Sequence, residues 1–296
     1  MRNFKISNHP WVSLAVILLL MPLFLILGII LSINILHLSP GSIPASFITP
    51  MTMHILLIFI TIPCVLHLPC GQKNYRQYLD NIRLTQIRPF GWLLLLALTC
   101  YLILLLSQAM GSFVYKIISG GNIDFLFLQS VFDLSGDLPP RSFGFIQSFP
   151  SVFEEVLMRG VVLTLFLRFY SHKKAILISS LAFSLPHLMS VTNQGIPIPP
   201  DFQVWILGQI IWSFITGIFY GYVFIKSHSL LPSMIIHFLG NLFIGSLTSI
   251  QQAAPVETQV LFNLLFNLGI IPTSLMILWV RFFTNKYPKT NLKNNL

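Results

Sequence analysis

One apolar stretch of this 296-residue chain carries three ionisable residues: Glu154, Glu155 and Arg159. An ionised side chain at mid-bilayer costs roughly 2.5–3.5 kcal/mol on insertion scales, so such a cluster needs pairing or water and is a functional candidate by default. Glu155 and Arg159 are four apart, which puts them on one helical face as an ion pair. Glu154 lies about 100° round the helix and is left as the carboxylate free to move a proton. Two plainer readings compete. Ser151-x-x-Glu154 fits a capping box, with Pro150 suited to a first helical turn, and the pair alone could be a structural salt bridge.

Two further apolar stretches hold polar groups of complementary chemistry. Phe183-Ser-Leu-Pro-His187 places a histidine inside a helix, and the ring of Pro186 is expected to kink that helix and free a carbonyl. His237-Phe-Leu-Gly-Asn241 puts a histidine and an amide on one face, with Gly240 allowing close helix approach. Alone, each is an ordinary interhelical hydrogen-bonding group. The remaining histidines (His9, His37, His54, His67, His172 and His228) fall near span ends and read as interfacial. Cys64, Cys70 and Cys100 have no metal-like spacing and read as buried thiols.

Taken in order on three helices, Glu-Glu-x-x-x-Arg, Phe-x-x-x-His and His-x-x-x-Asn resemble the CPBP family of intramembrane proteases, also called the Abi or type II CAAX-prenyl-endopeptidase family. The resemblance covers roughly residues 149–250. It implies a catalytic set of Glu154, Glu155, Arg159, His187, His237 and Asn241. Glu154 would be the base that activates water, His187 would position the water, and His237 and Asn241 would donate to the oxyanion. Glu155 with Arg159 would orient the first carboxylate. The family is described both as glutamate-based and as metal-dependent, so the cofactor is either none or a divalent metal such as zinc. Glu154, His187 and His237 are then the three ligands. There is no His-Glu-x-x-His helix, which favours the metal-free form. The Gly-x-Gly-Asp of aspartyl intramembrane proteases and the Gly-x-Ser-Gly of rhomboids are absent.

The elements that must hold these residues are legible in the composition. Hydrophobic residues make up 55 % and charged residues 8 %, too few charges to surface a water-soluble globule. Apolar runs of about 20 residues match the thickness of a bilayer. The expected fold is all-α: a single integral membrane domain, residues 1–296, of about eight transmembrane helices enclosing a conical intramembrane cavity. The spans are placed at Trp11–Leu36, Phe47–Leu68, Pro89–Met110, Phe149–Tyr170, Lys174–Val191, Gln203–Ile225, Leu231–Ile250 and Val260–Phe283. Cys70–Arg88 reads as an amphipathic helix on the cytoplasmic leaflet, with Tyr75, Tyr78, Leu79 and Ile82 at helical spacing. Gly111–Ser148 is the main outer loop, and its apolar stretch Phe125–Leu134 could dip into the interface.

With both termini cytoplasmic, fourteen of the 17 basic residues fall on the inner side, as the Lys/Arg bias of cytoplasmic loops requires. The net charge of +9 is thereby a topology signal and gives no reason to expect a nucleic-acid partner. A bacterial-type plasma membrane is the expected location. In this topology Glu154 lies about 8 Å and His187 about 6 Å below the outer boundary, with His237 about 20 Å deep. The cavity then opens outward, which argues against CAAX processing at the cytoplasmic face. It favours a peptide or membrane-protein substrate cut near the outer leaflet. The competing readings are a non-catalytic membrane immunity or scaffold protein, and a proton- or ion-coupled transporter. The transporter reading lacks the expected duplicated halves.

Overall fold

The computed structural model describes residues 5–132, 144, 146, 148–188, 200–248, 254–267 and 269–286. Helices account for the regular structure, and no strand occurs among the described residues. Helix α1, Pro10–Ile29, continues through wider π-type turns, Ile30–Ile35, and α2, Ile43–His54, continues likewise through Ile55–Leu66. Then come α3, Tyr75–Asn81, α4, Phe90–Ile118, and α5, Phe125–Phe132. Helix α6 begins at Pro150–Glu155, widens over Val156–Leu163 and closes at Thr164–Leu167. It is followed by α7, His172–Ser184, α8, Pro200–Ser227, and α9, Leu231–Thr248. The chain ends in α10, Val256–Phe262, widened over Asn263–Asn267, and α11, Ile270–Asn285.

Among the described residues, five segments are long and apolar enough to cross a bilayer: Pro10–Ile35, Ile43–Leu66, Phe90–Ile118, Gln203–Ser227 and Val256–Asn285. These correspond to five of the eight expected spans and establish an integral membrane protein. The count of eight is not reached on length and hydropathy, for identifiable reasons. Helix α6 carries Glu154, Glu155 and Arg159. Helix α7 stops at Ser184, and a tight 3-10 turn over 185–188 contains Pro186. Proline lacks an N–H and its ring clashes with the carbonyl four residues back, so it ends this helix where the sequence reading expected a kink. The expected ends at Val191 and Ile250 lie outside the described residues, as do Arg2, Lys289, Lys293 and most of the second half of the outer loop.

Two other expectations are revised. Helix α4 runs to Ile118, eight residues beyond the expected Met110, and so absorbs the start of the outer loop. The Cys70–Arg88 segment forms only the short α3, and its apolar face is turned onto protein. Tyr78 and Ile82 are fully buried, and the Tyr78 hydroxyl donates to the Ile58 carbonyl at 2.7 Å. Burial pushes the Tyr78 phenol above its ordinary range, so it stays a neutral donor.

Two apolar clusters make the core. One joins α1, α2, α3, α6 and α7 around residues such as Ile17, Ile58, Val161 and Phe183. The other joins α4, α9 and α11 around Leu96, Ile236 and Met276. Helix α8 supplies residues to both, Phe224 to the first and Phe219, Tyr220 and Val223 to the second. It can lie close to α7 because Gly217 has no side chain: a Cβ there would stand 3.0 Å from both Cα and Cβ of Ser180. Small residues at such contacts let membrane helices approach. Gly217→Leu should force α8 off α7 at a cost of about 1–3 kcal/mol, seen as a lower thermal midpoint in detergent. An unchanged midpoint would show that this contact does not hold the bundle.

Candidate active site

The site is assembled where α6, α7, α8 and α9 meet. The sequence places Glu155 and Arg159 one turn apart on α6, and both are fully buried with Oε1 and Nη1 3.2 Å apart. Neither could stand alone there, since an uncompensated buried charge costs several kcal/mol. The guanidinium is also contacted from α7 and α8. Its Nη2 donates to the Gly217 carbonyl of α8 at 3.3 Å, and its carbon sits over the rings of Phe183 at 4.5 Å and Tyr220 at 5.2 Å. Cation–π attraction is strongest when the cation is stripped of water, as here.

His237 of α9 joins this pair. Its Nδ1 lies 3.0 Å from Glu155 Oε1, the same oxygen that faces Arg159. A carboxylate beside a guanidinium accepts, so Nδ1 carries the proton and Nε2 is left for other work. The imidazole stacks on Tyr220 at 5.0 Å and 25° and meets the edge of Phe183 at 5.8 Å, so its plane is fixed by packing as well as by the hydrogen bond. Nε2 points towards Glu154, with Oε2 3.9 Å away. That is too long for a direct hydrogen bond.

The two glutamates therefore have different tasks set by exposure. The Glu155 side chain has no accessible surface, whereas that of Glu154 is 36 % exposed. The capping alternative for Glu154 is not realised. Ser151 donates to the Ser148 carbonyl at 2.6 Å, and the residue before the helix, Phe149, makes no side-chain cap.

His187 is held in the turn after α7. Its Nδ1 is 3.1 Å from the Phe183 carbonyl, which can only accept, so again Nε2 is the unprotonated nitrogen of the neutral ring. His187 is near enough to Glu154 and His237 for their charges to interact. Asn241, one turn beyond His237 on α9, is exposed. All six residues singled out from the sequence thus lie on helices α6 and α9 and the turn closing α7, with five of them linked by contact or charge. Asn241 is placed with them by its helix register.

The donor set was also tested against a metal. Among the described residues, no group of three or more His, Cys, Asp or Glu side chains is gathered to hold a metal ion. Two ligands on one tetrahedral zinc, each at about 2.0–2.1 Å, lie roughly 3.3 Å apart. The 3.9 Å between Glu154 and His237 is wider than that. As placed, Glu154, His187 and His237 do not fit a shared zinc.

Sequence reasoning missed three contributors. Tyr220 and Gly217 carry no motif of their own, since a tyrosine and a glycine in an apolar helix give no signal until the fold sets them against Arg159 and His237. His54 is the third. It was expected at an interface, but it is only 2 % exposed and its ring stacks on Phe153, the neighbour of Glu154, at 6.0 Å and 25°. The signal was available: Pro50 and His54 are one turn apart inside an apolar span.

Residues 141–243, about a third of the chain, match the family described as type II CAAX prenyl endopeptidase Rce1-like. The matched segment contains every residue of the site from Glu154 to Asn241, and none of α1 to α5. Over this segment the chain is similar to that family of membrane proteases, and the helices around it are those of a membrane-embedded protein. No curated protein and no solved structure matches it.

The exposure contrast gives a test on stability alone. Glu155→Gln leaves Arg159 buried without its counter-charge and should lower stability by about 3–5 kcal/mol. Glu154→Gln, at a part-exposed position, should change it by less than about 0.5 kcal/mol. Unfolding followed by a thiol probe or by temperature would read both. Equal effects would contradict the division of roles.

Proposed function

We propose that this protein is an intramembrane endopeptidase that uses Glu154 as a general base, without a metal, and crosses the bilayer about eight times with both termini cytoplasmic. The observation that carries this reading is the pair of glutamates with opposite environments: one buried and tied to Arg159 and His237, the other exposed 3.9 Å from the free nitrogen of His237. One water spans such a gap with hydrogen bonds of about 2.8 Å.

In the proposed reaction His237 is doubly protonated and its Nε2–H donates to that water, Glu154 takes one of the water's protons, and the unprotonated Nε2 of His187 accepts the other hydrogen and fixes the water's orientation. The oxygen attacks the peptide carbonyl. Asn241 Nδ2–H and, in its doubly protonated form, His237 Nε2–H donate to the resulting oxyanion. Glu155 on Nδ1 fixes the ring, as a buried carboxylate does for histidine in hydrolytic sites. When the tetrahedral intermediate collapses, the C–N bond breaks and Glu154 returns its proton to the leaving amine.

The family's description points to prenyl-protein processing of CAAX type. The depth of Glu154 and His187 in the proposed topology instead favours a peptide or membrane-protein segment cut near the outer leaflet.

Purified protein presented with a membrane-peptide library should cleave, and should keep cleaving after exhaustive chelation. Glu154→Gln and His187→Ala should each lower kcat at least about 10²-fold while leaving the fold intact. Full cleavage by Glu154→Gln would sink the proposal, and activity lost on chelation and restored by zinc would remove its metal-free form.

A further inference from the structure

Helix α2 lies outside the segment matched to the family, yet it packs directly on the catalytic helix. Its contact face is an aromatic ladder: Phe47 against Phe149 at 6.2 Å, His54 against Phe153 at 6.0 Å, and Phe59 against Phe153 at 6.0 Å. Phenylalanine serves at every rung but one. At the remaining rung stands an imidazole that is 2 % exposed, and burying such a polar ring is unfavourable unless its nitrogens are used.

Within α2 only the Pro50 backbone is available to them. The Pro50 carbonyl lies near the ring, but Nδ1 has no hydrogen-bond partner among the described residues. The backbone is irregular on both sides of His54, with Pro50 one turn before and π-type turns beginning at Ile55. Such turns are frequent at functional sites. The ring is stacked on the residue that precedes Glu154, and it lies within range of the Glu154 charge.

We propose that His54 is a positioning residue for Glu154, holding the base carboxylate from α2 as His237 faces it from α9. The proposal rests on the reading of Glu154 as the general base. It makes α2 part of the active site, so that the base is fixed between a helix inside the family segment and one outside it. His54 touches no substrate; it acts through the Phe153–Glu154 turn on which its ring is stacked.

His54→Phe tests this, because it completes the aromatic ladder while removing both nitrogens. A role in packing alone predicts unchanged or higher stability and unchanged turnover. The proposal predicts a retained thermal midpoint, a kcat at least tenfold lower with KM within twofold, and partial recovery in His54→Gln. A second readout is independent of proteolysis: the rate at which a hydrophobic carbodiimide labels Glu154, followed by peptide mass spectrometry. It should rise at least fivefold in His54→Phe, since a side chain whose turn is no longer held in place is more open to the reagent. Wild-type turnover or wild-type labelling in His54→Phe would overturn the assignment. If no substrate is cleaved by the wild-type protein but labelling still rises, His54 stands and the protease reading falls.

Discussion

Everything in the site depends on placing Arg159 in the middle of a membrane protein without water. A guanidinium there must find a counter-charge, a hydrogen-bond acceptor and polarisable faces, and three helices supply them. Glu155 on α6 gives the charge, Gly217 on α8 gives a carbonyl, and Phe183 on α7 with Tyr220 on α8 give the rings. His237 on α9 then takes the other side of Glu155 Oε1. Because a buried charge left alone is so unfavourable, these helices are constrained to one mutual arrangement. That arrangement leaves Glu154, the residue before Glu155, part-exposed.

The same constraint explains why two adjacent glutamates differ so much. On a helix, neighbours point about 100° apart. Rotating α6 to bury Glu155 against Arg159 and His237 necessarily turns Glu154 to another face, where it meets the free edge of His237. A single buried acid would have to choose between structure and chemistry. The pair divides these tasks by geometry alone, and the scarcity of other acids nearby keeps the division clean.

Much of this was legible in the residues. The i,i+4 spacing of Glu155 and Arg159 is enough to predict their pairing, and the three motifs locate the site on three helices. What spacing cannot convey is tertiary. Nothing local says that His237 bonds Glu155 through Nδ1 before it faces Glu154, or that Tyr220 stacks beneath it. Pro186 was read as a kink within a helix, but the helix ends there, and His187 reaches back to the Phe183 carbonyl from the following turn. His54 was placed at an interface because it lies only seven residues into its expected span. Helix α2 in fact begins at Ile43, which carries His54 into the buried interior. The span count is affected by chemistry too: α6 carries three ionisable residues and α7 ends at Ser184, so neither reads as a long apolar span.

The central claim is that a water molecule, activated by Glu154, attacks the peptide directly. A single turnover in H₂¹⁸O, with excess enzyme over a membrane peptide, tests it most directly. Direct attack predicts one ¹⁸O in the new carboxyl group of the product and none in Glu154. A product that carries only ¹⁶O, with the label appearing in the Glu154 carboxyl, would mean that Glu154 is itself the nucleophile and would contradict the account.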